Sequence, residues 1–117
     1  MTNLYSLPPK APAVHRLPMV RIAPAQATAF RVLARQRGLS CSSALAALVG
    51  KHARVRLPFN PRLRKAQGDS ARFTVALPDC KVPADAGSAL REDARLAGIS
   101  LTEALRQLVN RSLGSAH

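Results

Sequence analysis

Two stretches sixty positions apart carry the same short alternation of apolar and polar residues. Leu17-Pro18-Met19-Val20-Arg21-Ile22-Ala23 returns as Leu77-Pro78-Asp79-Cys80-Lys81-Val82-Pro83. A period of two is that of a strand with one buried face. It predicts Val20, Ile22, Cys80 and Val82 inward, and Leu17, Met19, Arg21, Leu77, Asp79 and Lys81 outward. Behind each strand the period lengthens to that of a helix. Pro24 or Ala25 opens the first one, since proline suits a first turn. Ala27, Phe30, Leu33 and Ala34 form its inward stripe. Gly38 is expected to end it in a left-handed conformation, with Leu39 plugging the corner and Ser40 capping a second helix. That second helix buries Leu45, Leu48 and Val49 and ends near Arg54.

The same plan returns in the second copy. Laid on 77–111 without a gap, residues 17–51 match at 12 of 35 positions. The matches fall on apolar helix positions and turn signals, so a shared fold explains them better than composition does. Ser100-Leu101-Thr102-Glu103 fits a capping box, with Glu103 reaching back to the Ser100 amide; the first copy has Ser43 in place of Glu103. Asp93 stands where Leu33 does. Either that helix turns to bury Leu96, or Asp93 is paired at the edge of the core. The chain divides into a Pro-rich arm expected to be flexible (1–15), a first motif (16–54), a basic connector (55–76), a second motif (77–113) and a tail (114–117). Within the connector, Gln67-Gly68-Asp69-Ser70 reads as a turn, and 72–76 alternates as an extra strand would.

Each copy spans about forty residues, near the size below which a unit rarely folds alone, so the two are expected to share a core. With one Tyr, three Phe and no Trp, that core must be aliphatic. The net charge of +12 is unevenly placed: residues 1–68 hold twelve Lys/Arg and no acid, and residues 69–117 hold six of each. A one-sided basic excess on a foldable domain points to a polyanion, usually nucleic acid. Cys41 and Cys80 are too few for a disulfide framework and read as buried thiols in a reducing cytosol. His15, His52 and His117 lack metal-ligand spacing with either cysteine, so no metal or other cofactor is expected. No apolar run approaches the ~20 residues of a membrane span, and the N-terminus lacks a secretory core. A cytoplasmic, nucleoid-associated protein is expected. No Gly-rich phosphate loop, no Cys/His pair and few carboxylates argue against an enzyme, and no small-molecule ligand is evident.

A strand, a helix, a Gly-containing turn and a Ser-capped second helix together resemble the ribbon-helix-helix (Arc/MetJ/CopG-like) family of DNA-binding proteins, of bacterial, phage or plasmid type. Its best-matching stretch is VPADAGSALREDARLAGISLTEALRQLV in the second copy. The resemblance implies a mainly α fold with a short antiparallel β-ribbon, here two tandem motifs folded as an intrachain pseudo-dimer. It also implies double-stranded DNA as partner, read in the major groove by the ribbon. Met19, Arg21, Asp79 and Lys81 would contact bases: Arg21 or Lys81 a guanine, Asp79 a cytosine amine, Met19 a thymine methyl. Helix starts at Ser40, Cys41 and Ser42, and at Ser100, Leu101 and Thr102, would aim backbone N–H groups at phosphates. Arg54, Arg56, Arg62, Arg64 and Lys65 of the basic run could track the phosphate backbone, enter a minor groove, or belong to a solvated loop. Differences between the outward residues of the two copies predict an imperfect palindrome or a non-palindromic site. A transcriptional regulator is the first reading. An accessory protein of a conjugative relaxosome is the second, since tandem copies resemble such proteins, and a non-specific nucleic-acid packaging protein the third. Self-association of pseudo-dimers on DNA stays open.

Overall fold

Residues 14–61 and 73–114 are described by a computed structural model. In chain order they form β1 (Val14–Arg16), β2 (Val20–Ile22), α1 (Pro24–Gln36) and α2 (Cys41–Val55), then β3 (Val75–Leu77), β4 (Lys81–Pro83), α3 (Ala84–Ala97) and α4 (Leu101–Ser112). The strands pair across the two copies. β1 runs antiparallel to β4 with Val14 opposite Pro83, His15 opposite Val82 and Arg16 opposite Lys81. β2 runs antiparallel to β3 with Val20 opposite Leu77, Arg21 opposite Ala76 and Ile22 opposite Val75. The register is common to both ladders, and Leu17 N donates to Cys80 O at 2.9 Å between them. Residues 14–22 and 75–83 therefore lie as one two-stranded ribbon whose middle is opened by Pro18 and Pro78, which have no N–H to give a ladder. A shift of sixty residues carries each half of the ribbon onto the other. Its midpoint falls between Pro18 and Met19 on one side and Pro78 and Asp79 on the other.

Three expectations change here. Pairing begins at Val14, so the last two residues expected in the flexible arm belong to a strand. The alternation does not run through the prolines: Pro18 and Met19 are exposed in succession, as are Pro78 and Asp79. Leu17 and Leu77, expected outward, are therefore both fully buried, and the inward set is Leu17, Val20, Ile22, Leu77, Cys80 and Val82. Of the alternating 72–76, the strand takes up only Val75 and Ala76 and extends to Leu77; Arg72 lies outside the described residues.

The helices follow the expected signals. Pro24 occupies the first turn of α1, whose buried residues are Ala27, Phe30 and Ala34. Gly38 and Gly98 take φ +69° and +72° just beyond α1 and α3, a region open to glycine at little cost. The chain reverses there, with Leu39 N–H donating to Ala34 O and Ile99 N–H to Ala94 O. Only the second corner is plugged: Ile99 is 9% exposed, Leu39 38%. Ser40 Oγ accepts from Ser43 N and Ser100 Oγ from Glu103 N, each at 3.1 Å. The reciprocal half of the capping box is not made. The Glu103 carboxylate accepts instead from Arg106 Nη1 at 2.6 Å and Gln107 Nε2 at 3.4 Å.

The copies are interlocked. α4 packs on β2 of the first copy and α2 on β4 of the second, while α2 also packs on α3 and α4. One hydrophobic cluster results, with matched residues from each copy: Phe30 and Leu90, Leu45 and Leu105, Val49 and Val109. Burial of each such side chain contributes roughly 1.5–3 kcal/mol, and neither copy supplies the whole cluster.

Candidate nucleic-acid interface

With Leu17 and Leu77 underneath, the outward face of the ribbon carries Val14, Arg16, Pro18, Met19 and Arg21 on one strand and Ala76, Pro78, Asp79, Lys81 and Pro83 on the other. Three cations and one acid share this face. Arg16 lies directly opposite Lys81, and Arg21 opposite Ala76. The two rungs are five residues apart, about 16 Å at the ~3.3 Å rise of a strand. Met19 stands 55% exposed near the midpoint. Arg16 Nε approaches Asp79 Oδ2 at 3.6 Å, with both side chains about half exposed or more. Such a pair is weak and screened.

Two side chains of the scaffold hold the ribbon backbone. Ser42 Oγ, in the first turn of α2, donates to Asp79 O at 2.7 Å. Arg106 Nε, from α4, donates to Arg21 O at 2.9 Å while Glu103 holds its Nη1. Both helices thus begin beside the ribbon. The first N–H groups of a helix have no intrahelical acceptor, so the starts of α2 and α4 offer donors on either side of the exposed face.

The expected contact residues divide accordingly. Met19, Arg21, Asp79 and Lys81 are exposed on the ribbon, with Asp79 already facing Arg16. Ser40, Cys41 and Ser42 and their counterparts Ser100, Leu101 and Thr102 sit at the two helix starts. Their hydroxyls are engaged: Ser40 and Ser100 cap their own helices, Ser42 binds Asp79 O, and Thr102 Oγ1 lies 3.1 Å from Ser100 Oγ. Cys41 and Leu101 are half-buried and have only their backbone to contribute.

Arg54 and Arg56 do not belong to this surface. α2 starts at the ribbon, and at 1.5 Å per residue Arg54 is about 18 Å along the helix from Ser42. Arg56 closes α2 in a left-handed conformation, φ 56°. Its guanidinium grips Asp93 in two bonds, Nε to Oδ2 at 2.7 Å and Nη2 to Oδ1 at 2.8 Å. Arg62, Arg64 and Lys65 lie outside the described residues.

Asp93 is thus paired at the core edge, and Leu96 is left 69% exposed. His52, whose side chain is 1% exposed, places Nε2 2.8 Å from Asp93 Oδ2. Its ring stacks on Phe59 at 4.7 Å between centroids. The Arg56 hydrogen bonds, with a further contribution from His52, hold the Asp93 carboxyl below its ordinary range, and Asp93 raises Arg56 in turn. Beyond Phe59, Asn60 and Gln107 exchange two hydrogen bonds at 2.9 Å, and Arg111 Nη2 donates to Pro58 O at 2.8 Å. This cluster anchors the start of the connector on the second copy. Cys80 lies beneath the ribbon, where burial, and then the Asp79 charge, push its thiol up; it and Cys41 are both free.

Arg16 was missed as a ribbon residue. Placing Leu17 outward turns its neighbour inward, and the Pro-rich arm-like sequence before it gave no contrary sign. Arg106 was missed too, because a helix-surface arginine does not announce a carbonyl 85 residues away. Among the described residues no cluster of three His, Cys, Asp or Glu could hold a metal, and no helix is long and apolar enough to cross a membrane. No family model matches the chain, nor does any curated protein or solved structure.

Proposed function

We propose that this chain is a tandem ribbon-helix-helix protein, an intrachain pseudo-dimer, that binds double-stranded DNA through its ribbon and acts as a transcriptional regulator. One observation carries the reading. The same strand from each copy pairs antiparallel about a shared midpoint, leaving Arg16, Arg21 and Lys81 outward between two helix starts. A two-stranded ribbon fits the ~12 Å major groove. The spacing of its cationic rungs, about 16 Å, matches roughly five base pairs at 3.4 Å each. Arg21 and Lys81 hold equivalent places and suit guanine O6 and N7. Arg16 and Met19 are replaced by Ala76 and Asp79 at the equivalent places of the other half, so the preferred site is an imperfect palindrome. Asp79 accepts from a cytosine amine only by leaving Arg16, which their shared exposure makes cheap.

Selection from random duplex DNA at physiological salt, with wild type and with Arg21→Ala/Lys81→Ala, tests the reading. An enriched motif that the double variant loses is the expected result. At a defined site each lost contact should cost about 1–3 kcal/mol. Selection of no motif, or of the same motif by both proteins, would leave only charge-driven packaging. An accessory role in conjugative DNA processing would keep the same ribbon chemistry and be marked by a site at a transfer origin instead of a promoter.

A further inference from the structure

The two halves of the interlocked body share a fold and differ in charge. Residues 14–61 carry eight Lys/Arg and no Asp or Glu, whereas residues 73–114 carry five of each. The difference is concentrated on equivalent helices. α1 presents Arg31 and Arg35 with no acid anywhere along it; α3 presents Arg91 and Arg95 at the same places among Asp85, Glu92 and Asp93. Arg95 has Glu92 within 4.0 Å. Among the described residues, neither Arg31 nor Arg35 has an acidic partner. Like charges four apart weaken a helix slightly, so folding does not account for the pair.

Their position supplies a reason. Arg31 and Arg35 border an open cleft of about 350 Å³ with Ala34, Gly38, Leu39 and Cys41. Cys41 adjoins Ser42, whose hydroxyl is bonded to the ribbon backbone at Asp79. The cleft therefore opens beside the proposed DNA face, on the side of the first copy. We infer that this flank grips the DNA backbone beyond the ribbon, through Arg31 and Arg35 on successive phosphates, and that the equivalent flank of α3 does not. The complex is then one-sided: the ribbon reads the site and the first copy extends the footprint along one arm. This inference rests on the DNA-binding reading above and adds a polarity that the reading does not contain.

Arg31→Gln/Arg35→Gln and Arg91→Gln/Arg95→Gln are compared with the wild type on one duplex site. Readouts are the salt dependence of affinity and ethylation interference at each phosphate. The first pair should lower the slope of log K against log salt by about two, as two lost phosphate contacts require. Interference at the phosphates flanking the ribbon site should vanish with it, while the selected motif is unchanged. The second pair should keep both the slope and the flanking interference. Equal losses from the two pairs, or none from the first, would overturn the one-sided grip and leave ribbon recognition standing. If the wild type binds no duplex, both readings fall together. The unfolding midpoint of the first variant should match the wild type, since no acidic partner is removed from Arg31 or Arg35, and that of the second should shift little, since the Arg95–Glu92 pair is exposed.

Discussion

At Asp93 two side chains from the first copy, His52 and Arg56, converge on one carboxylate of the second, and the energetic consequences are open to measurement. Asp93→Asn keeps the volume but loses the charge that Arg56 and His52 share. Loss of about 2–3 kcal/mol of stability at pH 7 is expected, the cost of leaving charged and buried groups poorly paired. Because the folded-state pKa is depressed, this contribution is fully present above the unfolded value of about 3.9 and fades as pH falls through the folded one. Urea unfolding should therefore separate the two proteins at pH 7 and bring them together as pH falls through the depressed folded-state value; a gap that persists undiminished in acid would remove the ion pair as its cause. His15 offers a second test. A methyl added at Gly87 would lie 2.5 Å from His15 Nδ1 and 3.0 Å from its Cβ. The equivalent positions hold Val75 and Ala27, a smaller residue against a larger one. Gly87→Ala alone should be destabilising, and His15→Val should relieve it in a double-mutant cycle; additive effects would deny the contact. Sequence alone marked Asp93 as out of place, yet its partners lie 37 and 41 positions away, beyond what local periodicity reports.

Among the elements, the helices were legible and the ribbon only half so. Gly38 and Gly98 end the first helices and Ser40 and Ser100 begin the second, because each signal acts through backbone groups within a few residues. Ser40→Ala or Ser100→Ala should each cost about 1 kcal/mol in thermal or urea unfolding. The ribbon depends on a partner strand some sixty residues away, and its period breaks at the proline that sequence reading treated as one more position. Hence Leu17 and Leu77 were placed on the wrong face and Arg16 was lost from the candidate surface. The capping box failed for a related reason: Glu103 finds Arg106 one turn on, a stronger partner than a neutral amide. Below the ribbon, Cys80 is 3% exposed with its thiol shifted up, whereas Cys41 is half-buried. A thiol reagent at pH 8 should modify Cys41 well before Cys80, read by peptide mass; the reverse order would contradict the ribbon's facing.

For the whole molecule, the interlocking of α2 with β4 and of α4 with β2 means that the chain cannot unfold one copy and keep the other. A single cooperative transition is expected by both circular dichroism and urea titration. Cleavage anywhere within 62–72 should leave a folded two-chain complex whose unfolding midpoint rises with concentration, since the core lies between the pieces and only their covalent tether is lost. A midpoint indifferent to concentration would mean separate cores. One consequence of the shared ribbon register concerns descent. In a dimer of identical chains every substitution appears twice, so a change that helps one side of the midpoint must be tolerable on the other. Joined in one chain, the two halves are released from that bond. His15 with Gly87 against Val75 with Ala27, and eight cations with no acid in their own half against five balanced ones, are differences that identical subunits could never have inherited.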